Sequence, residues 1–406
     1  MKLRKVWMKI EKNSTEIIQE YMVYYLNGER FASSTMQGGK RAYTIENYDR
    51  RLYVENSKDI FSKEKENILD KLDIGTLMYE NLVHSLKVVG TVKRVLISMI
   101  LQKHKYVFEK EKTDMINNVF AEVNVTYMLD ERIIPVVRRR KVINGNICSA
   151  LQEIVKSIVE KYKNITKLKI RNLQTAKYNV ILCPGQGGVL IHEGIGHNLE
   201  GDIYFKKESL LNNMLKKKIF NKQINISDSC NEIDYIYYNL SSDGSVTQNV
   251  DLVKNGVING LLSDMYISSC YGVEDTGNGR CATFENMALP RMRNTYLHNG
   301  EKTANEIIDN MREGIIALEL GGGSVDIVSG HFVFNIALGG YVRNGEIVSI
   351  LPPCLLEGNV LKTLNSISEI GNDLEFKFAK CVKDGQELDV SYGCPTIKLE
   401  SQQIFF

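Results

Sequence analysis

Short runs of apolar and aromatic residues broken by polar ones predict strands over residues 1–56. Tyr21–Leu26 leads into Asn27-Gly28 and then Glu29–Ala32, and Asn-Gly between two such runs predicts a hairpin. Residues 58–71 (KDIFSKEKENILDK) are charged and helical in pattern. The β-branched run Val92–Met99 and the Val-, Ile- and Tyr-rich stretch Asn117–Val142 predict further strands. In Ile147–Lys163 the apolar residues Leu151, Ile154, Val155, Ile158 and Val159 recur at helical spacing, which predicts an amphipathic helix. The polar stretch Lys167–Lys177 carries no apolar stripe and reads as a junction. Beyond it, Tyr178–Cys183 predicts a strand, Pro184–Gly188 a turn, and the following residues a helix. The lysine-rich segment 205–224 reads as a solvated helix or loop face. Later, Asn255-Gly256 and Asn344-Gly345 each sit between apolar runs as hairpin turns, while 304–311 and 359–370 have helical patterns.

These elements predict an α+β chain. An N-terminal mixed α/β domain spans 1–175, and a C-terminal domain over 176–406 is built on a largely antiparallel β-sheet that carries a histidine-containing helix. A length of 406 residues suits two domains. No period of 20–50 residues points to a solenoid. Hydrophobic content of 43% with 25% charged residues fits a globular protein, and the net charge of +2 gives no case for nucleic-acid or membrane binding. No run approaches the ~18 apolar residues of a membrane span, and the charged start has no apolar stretch behind it. The eight cysteines lack C-x-x-C spacing and read as reduced thiols of a cytoplasmic protein.

Chemistry concentrates in Gly188–Asp202, GVLIHEGIGHNLEGD, which holds two of the six histidines in the chain. His192 and His197 are metal-ligand candidates, and Glu193 beside them is a candidate proton shuttle between a nucleophilic water and a leaving amine. Their spacing is five rather than four. At about 100° per residue, five steps put the two rings ~140° apart on a regular helix. Both reach one ion only if the helix is locally widened or the side chains reach around it; a π-bulge is one such device, and Gly194 and Gly196, which weaken regular helix, fit it. Glu200 and Asp202 just downstream are each a candidate to hold the free N–H of a ligand histidine, the alternative being surface acids. A third ligand must come from elsewhere, with His298, His331, the cysteines and many acids as candidates.

The motif resembles the HExxxH motif of the TldD/PmbA family of metallopeptidases, in its TldD branch. Further stretches resemble family segments in the same order: Thr276–Arg280 (TGNGR), Pro290–Tyr296 (PRMRNTY), Gly321–Gly330 (GGGSVDIVSG), Ile370–Leu374 and Cys381–Gln386 (CVKDGQ). The resemblance covers about 178–400. It implies a zinc-dependent peptidase in which His192, His197 and Cys381 bind Zn2+ and Glu193 serves as general base and acid. It also implies an enclosed channel in which short or unfolded peptides lie as an added strand with low sequence specificity. Gly321, Gly322, Gly323, Ser324, Val325 and Asp326 would form the receiving edge.

The family further implies a dimer, either with a homologue that lacks the metal motif or with a second copy. The N-terminal part is shorter than the family's and similar only around Val92–Ser98, and Cys281 stands where the family has an arginine. These departures suit a dedicated maturation peptidase that removes a leader from one ribosomal peptide. The alternatives are a non-catalytic peptide-binding partner subunit, against which the complete set of His192, Glu193, His197 and Cys381 argues, and an amide hydrolase acting on a non-peptide.

Overall fold

A computed structural model of the chain describes residues 3–10, 19–26, 29–37, 40–45, 76–108, 112–129, 132–142, 146–231, 235–282 and 286–406. The helix expected at 58–71 lies outside the described residues.

The first strands, β1 (Leu3–Ile10), β2 (Gln19–Leu26), β3 (Glu29–Gln37) and β4 (Lys40–Ile45), form an antiparallel sheet in sequence order. Leu26 pairs with Glu29, as the hairpin signal requires. After helix α1 (Thr76–Lys87) come β5 (Thr91–Phe108), β6 (Lys112–Leu129) and β7 (Arg132–Lys141), a three-stranded meander whose first strand runs well past the predicted Met99. Helix α2 (Ile147–Tyr162) starts at Asn146, whose side chain accepts from the Ser149 N–H, and buries Leu151, Ile154, Val155 and Ile158. Each such side chain taken out of water contributes about 1.5–3 kcal/mol, so this stripe fixes the helix on the meander.

Strand β8 (Ala176–Leu182) leads through a turn into the short helix α3 (Gly188–Ile191), and Gly201–Phe205 forms α4. The lysine-rich stretch after it is a chain of turns with Leu211, Phe220 and Ile224 buried and its lysines outward, not a helix. Next come β9 (Ile226–Ser229), β10 (Val250–Lys254), β11 (Val257–Ile258), α5 (Met265–Tyr271), β12 (Gly279–Arg280), β13 (Leu289–Pro290), β14 (Asn294–Leu297) and α6 (Ala304–Asp309). The last part holds β15 (Glu313–Val325), β16 (His331–Arg343), β17 (Glu346–Ile350), β18 (Cys354–Asn359), α7 (Val360–Asn365), β19 (Ile367–Ile370), β20 (Glu375–Lys383), β21 (Gln386–Cys394) and β22 (Ile397–Phe405). The helical pattern read over 359–370 therefore ends at Asn365, and Ile367–Ile370 is drawn into a sheet by pairing with β22.

Two larger sheets dominate. One has the order β11-β10-β9-β14-β21-β20, antiparallel except between β14 and β21. In the other, β15, β8, β22, β18 and β16 pair in turn, and β15 pairs back with β16, so the sheet closes on itself. Here β8 runs parallel to β15. Three hairpins turn on residue pairs with both φ values positive, Asn255-Gly256, Asn344-Gly345 and Asp384-Gly385, as the twist of two-residue hairpins demands. One buried core lies between the two large sheets and around α3, with Leu190, Ile191, Ile195 and Leu199 in it. A second joins α1, α2, β6 and β7 to residues of β8, β15 and β16, among them Ile181, Ile316 and Val342. Among the described residues no helix is long and apolar enough to cross a membrane.

Candidate metal centre

The helix widens inside the histidine motif. After α3, residues His192–Gly196 form a π-helix and His197–Leu199 a 3-10 turn. The His197 N–H donates to the His192 carbonyl, five residues back. That ladder brings residues five apart onto one face, and the two imidazoles sit with centroids 5.0 Å apart. The glycines have a second reason beyond loosening the helix. A Cβ on Gly196 would fall 1.8 Å from Met292 Sδ, and one on Gly194 would fall 2.7 Å from Val360 Cγ1.

Cys381 arrives on β20. The Asp384-Gly385 turn folds β20 onto β21, and the buried Arg291 guanidinium pins the hairpin by donating to the carbonyls of Cys381 (2.8 Å) and Gln386 (3.2 Å). Cys381 Sγ lies 3.3 Å from His197 Nε2, and one donor atom from each of His192, His197 and Cys381 lies within 4.8 Å of the others. All three residues are buried. Glu193 Oε2 is 3.8 Å from His197 Nε2, and its side chain is 36% exposed, open enough to meet a ligand.

Behind His197 the polar groups form a chain. Glu200 Oε2 pairs with His197 Nδ1 at 2.9 Å. Lys383 Nζ donates to Glu200 Oε2 (2.9 Å), Asp202 Oδ1 (2.7 Å) and the Pro290 carbonyl (3.1 Å). Glu200 thus contacts a ligand histidine as expected, whereas Asp202 reaches no histidine and pairs with Lys383 instead, a lysine that was not read from the sequence. Its only signal was its place two residues beyond Cys381, which on a strand puts both side chains on one face.

The electrostatics follow from these contacts. Burial disfavours the Cys381 thiolate, yet hydrogen bonds from His192 and His197 and their charge overcome it and draw the thiol down to about 5. Burial likewise opposes the His197 imidazolium, but Glu200 and Cys381 raise it to about 10. Burial pushes the Glu200 carboxyl up, and the charges of His197 and Lys383 pull it down to about 2. A thiolate with two neutral imidazoles is the donor set that a borderline-soft divalent ion takes, so an ion bound here would displace the His197 proton. His192 Nδ1 is buried without a hydrogen-bond partner, as a ring held for a ligand would be. His298 and His331 are occupied elsewhere, by Ser227 (2.8 Å) and Glu357 (2.9 Å).

The PmbA/TldA metallopeptidase C-terminal domain matches residues 175–405, more than half of the chain. This chain belongs to the PmbA/TldD metallopeptidase family. Among relatives, the "Metalloprotease TldD homolog" of Buchnera aphidicola is 36% identical over 251 residues, 60% of this chain and 52% of that protein. The "Zinc metalloprotease TldD homolog" of Saccharolobus solfataricus is 33% identical over 244 residues, 59% of this chain and 54% of that protein. The matched part spans about half the length of these relatives. In fold, TldE from Thermococcus kodakarensis superposes with a TM-score of 0.67 at 14% identity, covering 100% of this chain and 95% of that one.

The stretches Thr276–Arg280 and Pro290–Tyr296 act as scaffold. Arg291 holds the cysteine hairpin, as above. Arg293 donates to the carbonyls of Gly277 (3.0 Å) and Gln248 (2.9 Å), while Asn278 donates to Asp228 (3.1 Å) and the Arg291 carbonyl (3.0 Å). Gly321–Ser324 lie on an exposed stretch of β15, whose pairing with β8 has ended at Ala317. Asp326 is committed to the turn beyond, accepting from the N–H groups of Val328 (2.9 Å) and Ser329 (3.0 Å). No hydrogen bond or ion pair among the described residues joins 321–326 to His192, His197 or Cys381.

Proposed function

We propose that this protein is a zinc-dependent peptidase that cuts short or unfolded peptides with little regard for their sequence. The observation that carries this reading is the convergence of His192, His197 and Cys381 donor atoms within 4.8 Å, with the Glu193 carboxylate 3.8 Å from His197. These three side chains would hold the ion, with Glu200 fixing the His197 ring through Nδ1. Zinc, when bound, supplies a Lewis acid for the scissile carbonyl and acidifies a nearby water. Glu193 takes the proton of the attacking water and hands it to the departing amine, so the peptide bond breaks as a carboxylate and an amine form. The open edge of β15 at Gly321–Val325 offers main-chain partners to an extended peptide, which favours backbone over side-chain recognition.

Leader removal from a maturing peptide would suit such a site, as would the cytoplasm for a chain whose eight cysteines are all free thiols. The protein would act as a dimer, with a second copy or with a homologue that lacks the metal motif. The test is to incubate zinc-loaded protein, alone and with a candidate partner, with a pool of short unstructured peptides and follow cleavage by mass spectrometry. Glu193→Ala is expected to keep the metal and lose about 10²–10⁴-fold in rate. Cleavage by the metal-free protein, or full activity of Glu193→Ala, overturns the mechanism.

A further inference from the structure

The exposed edge of β15 is blocked at one end, and the blocking groups have a definite chemistry. Pairing between β8 and β15 stops at Ala317, whose carbonyl accepts from the Cys183 N–H at 3.1 Å. The next edge donor, the Leu320 N–H, is capped at 2.8 Å by Gln186 Oε1. A strand added along Gly321–Val325 must therefore end beside Gln186. The same Gln186 oxygen accepts from Lys377 Nζ at 2.7 Å, which leaves the buried Gln186 Nε2 with no partner. Lys377 also donates to Glu319 at 3.2 Å, and its side chain is 19% exposed.

Around this point three cations, Arg138, Lys161 and Lys377, meet two carboxylates, Glu319 and Glu375, so positive charge is in excess. Glu319 is engaged through both oxygens by Arg138, Tyr162 and Lys377 and has little left to offer an ammonium group. Unused donors remain on Gln186 and Lys377. Lys377 is also tied to the metal centre by register. It lies directly opposite Tyr392, whose ring is 5.8 Å from that of His192, and it shares one face of β20 with Cys381 four residues on. That separation is about 13 Å, the span of roughly four residues of extended peptide.

We propose that Lys377 and Gln186 form a subsite for the free C-terminal carboxylate of a peptide, so that the enzyme cuts within about four residues of the C-terminus. The peptide then runs antiparallel to β15, with its last residue at the blocked end. Recognition of a terminus reads no side chain, which keeps sequence preference low while limiting where the cut falls. This rests on the peptide-cleaving reading above.

The test uses the zinc-loaded full chain and matched peptides that differ only in ending as free acid or amide, with an N-acetylated set as control. The free acid should be cut with kcat/KM about tenfold higher or more, mainly through KM, and cleavage should map to the last residues by mass spectrometry. In Lys377→Met the acid-to-amide ratio should collapse to about one; if that variant does not fold, Gln186→Leu carries the same comparison. Equal cleavage of acid and amide, an intact preference in the variant, or a preference set by N-acetylation overturns the subsite. A binding arm, anisotropy of labelled acid and amide peptides on zinc-loaded Glu193→Ala, stands apart from turnover. Tighter binding of the acid upholds the subsite even if the wild type cuts nothing, in which case the peptidase reading alone fails. Equal or absent binding of the two overturns the subsite.

Discussion

Strand β20 links two buried charged clusters that are built to different ends. At its C-terminal end Cys381 and Lys383 join His192, His197, Glu200 and Asp202. Near its start Lys377 joins Arg138, Tyr162 and Glu319. In the second cluster the central carboxylate is saturated by donors from β7, α2 and β20, so it ties the N-terminal elements to the closed sheet. The first is braced on its outer side. Glu200 Oε2 takes both Lys383 and the far nitrogen of His197, while the near nitrogen meets the Cys381 sulfur and His192 Nδ1 has no partner. The Glu319 carboxylate is completed by the protein and serves cohesion, whereas donors left over at the second cluster's edge, on Gln186 and Lys377, and beside the metal ligands are open to a ligand.

The largest expected effect separates the two clusters by what each one loses. Cys381→Ala should take bound zinc from one equivalent to near none by elemental analysis, and cleavage with it, since a catalytic zinc needs its three protein ligands. Glu319→Ala should leave zinc stoichiometry near one but cost about 3–5 kcal/mol in urea unfolding, because it strands Lys377 and Lys161 without their anion and leaves Arg138 only Glu375. If Glu319→Ala lost metal and kept its stability, the division between the clusters would be wrong.

A smaller effect sharpens the ligand side. Lys383→Met should weaken zinc binding about 10–100-fold in chelator competition, by releasing the Glu200 carboxylate that holds the His197 ring. Unchanged affinity would make Lys383 a packing residue only.

The smallest effect concerns pH. Burial raises the Glu319 carboxyl, but Arg138, Lys377 and Lys161 overcome this and hold it well below the usual range. A carboxyl depressed in the folded state adds stability that is full above its unfolded value of about 4.3 and fades as pH falls toward the folded value. Unfolding free energy measured from about pH 6 down to 3 should therefore decline in the wild type, and less steeply in Glu319→Gln. Parallel curves would remove Glu319 as a source of acid sensitivity.

Much of the architecture was legible in local patterns. The helix at 147–162 followed from a 3.6-residue stripe, and the hairpins at Asn255-Gly256 and Asn344-Gly345 followed from the φ values that those residues tolerate. The pattern at 359–370 misled because strand pairing overrode a weak helical preference after Asn365. Within the candidate site, the five-residue spacing of His192 and His197 left either a widened helix or side chains reaching around a regular one, and the backbone takes the widened form.

By itself, then, the sequence determined which side chains carry chemistry and which local conformation their spacing needs, because both are properties of neighbouring residues. Tertiary structure alone decided that Cys381 closes on His197, that Lys383 braces Glu200, and that Arg138, Glu319 and Lys377 meet. These partners are separated by more than fifty residues of chain, and only the register of β20, β21 and β15 sets where their side chains converge. Glycine shows the same division. Gly194 and Gly196 read as loosened helix, whereas Val360 and Met292, distant in sequence, are what leave no room for a Cβ there.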